Sequence, residues 1–177
     1  PNLTINNRVD TGNILITSHN DTAASTNMFV TDSNGLFPVA NQGDTWADFD
    51  TTGRAWWTNL DAGTGGVRVV EVNPTTGAPI GAGVVVNTPA AGFSDDRQAL
   101  AADSFPDSPF HDNIYVIWTR FDTNTPAPPD TTRVFVARSA DHGVTWTSTD
   151  IGVAGFDQQT HIAVGSNGDV YATYHVQ

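Results

Sequence analysis

Carboxylates are the chemistry this chain offers most freely. It carries 19 acids against 7 bases. Glu71 is the only Glu, so nearly every acid is Asp, and every base is Arg. Three Asp hold similar places: Asp44, Asp96 and Asp157 each open a stretch of the same style, with Trp46 close to Asp44 and Arg97 beside Asp96. Carboxylates ringing one opening can hydrogen-bond the hydroxyls of a sugar, with Trp46, Phe93 or Phe156 as a stacking face. The same ring suits Ca2+, which takes hard oxygen ligands. A third reading is local, in which each Asp caps the backbone N–H groups at the start of its own strand. The five His are scattered and Cys is absent, so no His or thiolate metal set and no disulfide is expected. No cofactor is required by any motif, and Ca2+ is the one ion the acidic ring would suit.

The elements that position these residues read as strands. Helix-favouring Glu and Lys are almost missing, while Asp, Gly, Asn, Thr and Pro are abundant. "DTWADFDTTGRAWWTNL" (44–60), "DRQALAADSFPDSPFHDNIYVIWTRF" (96–121) and "DQQTHIAVGSNGDVYATYHV" (157–176) each give a short strand, a turn and an aromatic-rich strand. "GVRVVEVNPTTGAPIGAGVVV" and "RVFVARSADHGVTWTSTDI" give further strand pairs. In "RVFVAR" the period of two sends Val134 and Val136 one way, and Phe135 and Ala137 the other. The unit is four antiparallel strands recurring at roughly 40 to 60 residues, the period of a β-propeller blade. Over 1–177, read as one segment, the units fall near 3–41, 45–87 and 96–151, with a half unit at 157–177. "FDTNTPAPPDTT" is a loop inserted between the second and third strands of the third unit.

One turn carries a specific pattern. Ser139-Ala-Asp141-His-Gly143-Val-Thr145-Trp146 links a third strand to a fourth. Asp141 can accept backbone N–H groups within the turn, Gly143 allows a positive φ, and Trp146 can pack beneath. The stretch matches the Asp-box, S-x-D-x-G-x-T-W, and through it the chain resembles the sialidase-like (BNR-repeat) propellers. The resemblance implies an all-β propeller of four-stranded blades, about three and a half of them here, within a six-bladed ring. It implies a structural role for Ser139, Asp141, Gly143, Thr145 and Trp146, on the side away from the ligand-binding face.

The family's chemistry does not transfer with the fold. Sialidases use three Arg on a substrate carboxylate, a Tyr nucleophile with a Glu, and an Asp acid/base. The Arg-Ile-Pro motif is absent here, since Arg8 precedes Val9-Asp10. Glu71 lies in an outer third strand, and Tyr115, Tyr171 and Tyr174 lie in second strands, where packing is the expected work. No catalytic residue is assigned. The resulting expectation is a non-catalytic, extracellular or cell-surface recognition or scaffold module binding glycan or protein. The alternative is an exo-acting sialidase-type glycoside hydrolase whose other catalytic residues lie outside this segment. Convergence of Arg8, Arg54 and Arg97 on one mouth would favour the hydrolase.

A net charge of −12 excludes nucleic acid and anionic membranes as natural partners. No apolar run reaches the length of a membrane span, so no insertion is expected. The triplets at Asn2 and Asn20 fit the glycosylation sequon. Three and a half blades do not close a ring. The expectation is a longer polypeptide, or closure by another chain.

Overall fold

A computed structural model describes residues 15–16, 30–31, 41–74, 78–124, 132–153 and 157–176. Among them the chain is all β, without helix. Two short strands, β1 (Leu15–Ile16) and β2 (Val30–Thr31), pair antiparallel. The rest of the expected 3–41 unit, with Arg8 and both sequons, lies outside the described residues, as do 75–77, 125–131 and Phe156.

The first full sheet runs in chain order: β3 (Asn41–Phe49), β4 (Ala55–Asp61), β5 (Gly66–Val72) and β6 (Pro79–Asn87). The second repeats it with β7 (Phe93–Ala102), β8 (Ile114–Asp122), β9 (Thr132–Ser139) and β10 (Thr147–Asp150). All neighbours are antiparallel. A last pair, β11 (Asp157–Val164) and β12 (Val170–Val176), forms a two-stranded sheet. The inserted loop sits between β8 and β9, second and third in their sheet.

Alternation divides the core between the faces of the second sheet. Trp118, Val116, Leu100 and Ala137 face the first sheet and meet Trp56, Val67 and Val69. Ile117, Val134, Ala99 and Tyr115 face the β11–β12 pair and meet Ile162. Val134 and Val136 thus point one way, and Phe135 and Ala137 the other, as the period of two requires. Trp118 is fully buried and stacks on Phe135, with centroids 5.6 Å apart. Full burial of a side chain this size contributes about 2–3 kcal/mol or more.

The first strands β3, β7 and β11 lie side by side with β7 in the middle. Their C-terminal ends meet, because Ala102 N–H donates to Asp48 Oδ2 across β7 and β3 (2.9 Å). Beyond these ends the turns tie one sheet to the next. Thr51 donates through its amide and hydroxyl to Asp112 Oδ1, at 2.9 and 2.6 Å. Gly168, at φ +84, abuts Ser108 and Phe110 so closely that a Cβ there would lie 2.6 Å from Ser108 Oγ.

The turn from β9 to β10 is bound from within. Asp141 accepts from Thr145 N (2.9 Å), Thr145 Oγ1 (2.6 Å) and Ser139 Oγ (2.8 Å). Gly143 N donates to Ser139 Oγ, and Trp146 Nε1 to Gly143 O. The Thr145 hydroxyl and amide, with the Ser139 hydroxyl, pull the Asp141 carboxyl down to about 2. Gly143 takes φ +77, and a Cβ on it would lie 3.0 Å from the Trp56 ring. The turn therefore docks on the first sheet, at the same end as Asp50, 3.9 Å from His142 Nδ1.

Candidate functional site

The opposite end of the first strands is irregular in all three. Pairing slips between Gln42 and Trp46 in β3, between Asp96 and Ala99 in β7, and between Gln158 and His161 in β11. Arg97 and Gln159 occupy the extra positions, each with φ 58. A non-Gly residue in this left-handed region costs about 1–2 kcal/mol. A bulge re-aims side chains and often stands beside a binding site. Both side chains are exposed, while Asp96 and Gln158 are half-buried. Thr160 Oγ1 donates to Arg97 O and joins two bulges directly.

Counted from the resumed pairing, Trp46, Ala99 and His161 hold one place in their strands. Trp46 meets His161 edge-on at 5.6 Å, over the small Ala99 of the middle strand. Trp46 is half-buried and packs against two core clusters. The same count sets Asp44 level with Arg97, and Asp95 level with Asp157. Asp44, Asp96 and Asp157 therefore stand at three successive levels of the bulged end. Asp44 and Asp96 lie inside their strands, and Asp157 begins β11. The side chains of Asp44 and Asp157 are outside those described. The Asp96 carboxylate accepts from Arg97 N (2.8 Å), which is local capping of its own bulge.

Asp95 precedes the candidate Asp96. It is buried and takes Arg120 through two bonds, at 2.8 and 3.2 Å. Asn87 of β6 also donates to it, so the pair joins the two sheets. The Arg120 guanidinium lies 4.4 Å from the Phe135 ring centroid. Burial pushes the Asp95 carboxyl up, outweighing Arg120 and Asn87. The adjacent Asp95-Asp96 pair was the signal. Only the bulge tells which of the two turns inward.

Arg54 lies at the far end, after the Asp50–Gly53 turn. It binds Glu71 through two bonds (2.8 and 2.7 Å) and covers the Trp56 ring. Arg54 and Arg97 thus stand at opposite ends of the sheets. Glu71 raises the Arg54 guanidinium further. Tyr115 is buried, with its hydroxyl accepting from Asn113 Nδ2; Tyr174 donates to Ile151 O; Tyr171 is exposed on β12. Among the described residues no three His, Cys, Asp or Glu gather as a metal set. The bulged end offers hydrogen-bonding groups and the exposed Arg97, with exposed Phe93 at the start of β7. That equipment suits binding of a polar ligand. No protein-family model and no curated protein matches this chain.

Proposed function

We propose that this chain is a segment of a sialidase-like β-propeller and acts as a non-catalytic recognition or scaffold module outside the cell. Its ligand is a glycan or a protein surface, taken at the bulged end by Arg97, Gln159 and their neighbours. The supporting observation is the engagement of Glu71. Glu71, the only Glu in the chain, lies on the third strand of its sheet and is held there through two bonds by Arg54, while the hydroxyls of Tyr115 and Tyr174 bond Asn113 and Ile151. Four-stranded antiparallel sheets in sequence, with first strands side by side, support the propeller reading.

The test pairs a glycan array with a fluorogenic sialoside assay on the same protein. Glycan binding that weakens about tenfold or more in Arg97→Ala, without sialoside turnover, is the expected result. Turnover that survives purification and is lost in Glu71→Gln would sink the reading and favour a hydrolase.

A further inference from the structure

Thr119 of β8 is fully buried, and among the described residues its hydroxyl has no hydrogen-bond partner. Buried hydroxyls are nearly always paired, and one left alone costs stability. The second sheet has a neighbour on each face, so the chain itself encloses this part of β8. The residue directly opposite Thr119 on β7 is Asp96, at the bulged end. Directly paired residues share one face of a sheet, with Cβ atoms about 4.5–5.5 Å apart. That face looks toward β11, because Ile117, on the same side of β8, meets Ile162 there. Asp96 is half-buried and accepts one bond, from Arg97 N at 2.8 Å. A carboxylate offers about four acceptor positions, so most of its capacity is unused.

The charges of this end lean one way. Asp44, Asp95, Asp96 and Asp157 stand on the first strands against Arg97. Arg120 of β8 answers Asp95. A ligand acid that reaches Arg97 therefore meets more negative charge than positive, in a chain whose net charge is −12.

We infer that the bulged end takes a neutral, hydroxyl-rich glycan and discriminates against acidic ones, with Thr119 and Asp96 sharing one ligand hydroxyl. The two protein groups set the chemistry. The Thr119 hydroxyl has a proton to give, and the Asp96 carboxylate can only accept. A group between them must accept from the first and donate to the second, which a sugar hydroxyl does. A ligand carboxylate or sulfate accepts only, so it leaves Asp96 facing a like charge. An ammonium donates only, so the Thr119 proton stays without an acceptor. Arg97 and Gln159, both exposed, are placed to bond the sugar's outer oxygens. Phe93, exposed on the same strand as Arg97, gives a sugar ring an apolar face. The inference rests on the module reading and narrows its glycan arm.

The probe is an array that carries each neutral glycan beside its sialylated and sulfated forms, read at low salt. Neutral forms are expected to bind about tenfold tighter, and the gap to narrow as NaCl shortens the Debye length. The best neutral glycan and its sialylated form are then titrated in solution against variants. Asp96→Asn is expected to close most of the gap, since an acceptor stays and the charge goes. Thr119→Val removes an unpaired buried hydroxyl at nearly constant shape. It is expected to melt higher than wild type and yet bind the neutral glycan about fivefold more weakly. Thr119→Ser is expected to keep most of the affinity. A purely structural Thr119 would show no such split between stability and binding. Acidic forms that bind as well as neutral ones, or Thr119→Val with wild-type affinity, overturn the inference and leave the module reading standing. An array with no glycan bound also overturns it, and leaves the protein-surface arm of that reading. Sialoside turnover lost in Glu71→Gln overturns the module reading and this inference with it.

Discussion

Asp141 and Asp95 show how one residue type does two kinds of work. Asp141 sits in water with its carboxyl at about 2, held there by Thr145 and Ser139. A folded value below the usual 3.8 means its contribution is complete above that value and fades as pH falls toward 2. Asp141→Asn is therefore expected to melt lower than wild type at pH 7, with the two melting curves converging in strong acid. A gap that does not narrow would mean the turn is held by something else. Asp95 shows the opposite sign. Arg120→Leu leaves its buried carboxylate alone, at a cost of about 3–5 kcal/mol in denaturant unfolding at pH 7. Because burial already raises this carboxyl, the deficit should shrink as pH falls and the group takes up a proton. The eight-residue turn was legible because its bonds are local: Ser139, Asp141, Gly143 and Thr145 meet within a few positions. The Asp95–Arg120 pair was not, since its partners stand 25 residues apart and the choice between two adjacent Asp is made by a bulge.

The elements carry two further tests. Gly143 combines a left-handed φ with the Trp56 ring against its α-carbon. Gly143→Ala is expected to lower stability by about 1–3 kcal/mol, read as a shifted urea midpoint with an unchanged slope. Gln159 holds φ 58 without being Gly. Gln159→Gly is expected to gain up to about 1 kcal/mol by relieving that strain, while weakening any ligand held at the bulged end. Unchanged stability would show that the surrounding contacts, and not strain, set the bulge. Strands and hairpins were readable from alternation in "RVFVAR" and from the turns at Gly53 and Gly143. Their slips were not, because Asp96-Arg97-Gln98 and Asp157-Gln158-Gln159 look equivalent by eye. Pairing instead sets Asp157 level with Asp95. Trp46 was legible as a stacking face, while its contact with a distant His161 beside a small Ala99 was not.

At the scale of the molecule, the acidic surface repels itself. A net charge of −12 predicts a melting temperature that rises with NaCl up to about 0.5 M, where the Debye length is only a few ångströms. The β11–β12 pair has two strands where the two full sheets have four, and its amides are expected to exchange before those of β8. Among the described sheets, binding runs between neighbours: Thr51 to Asp112, Asn87 to Asp95, Thr160 to Arg97. A chain joined this way has a mechanical character. Pulled from its two ends, it should part sheet by sheet, each rupture freeing its own length of slack. Residues 41–87 would release about 160 Å and residues 93–150 about 200 Å at full extension, so a force trace should show steps of two sizes.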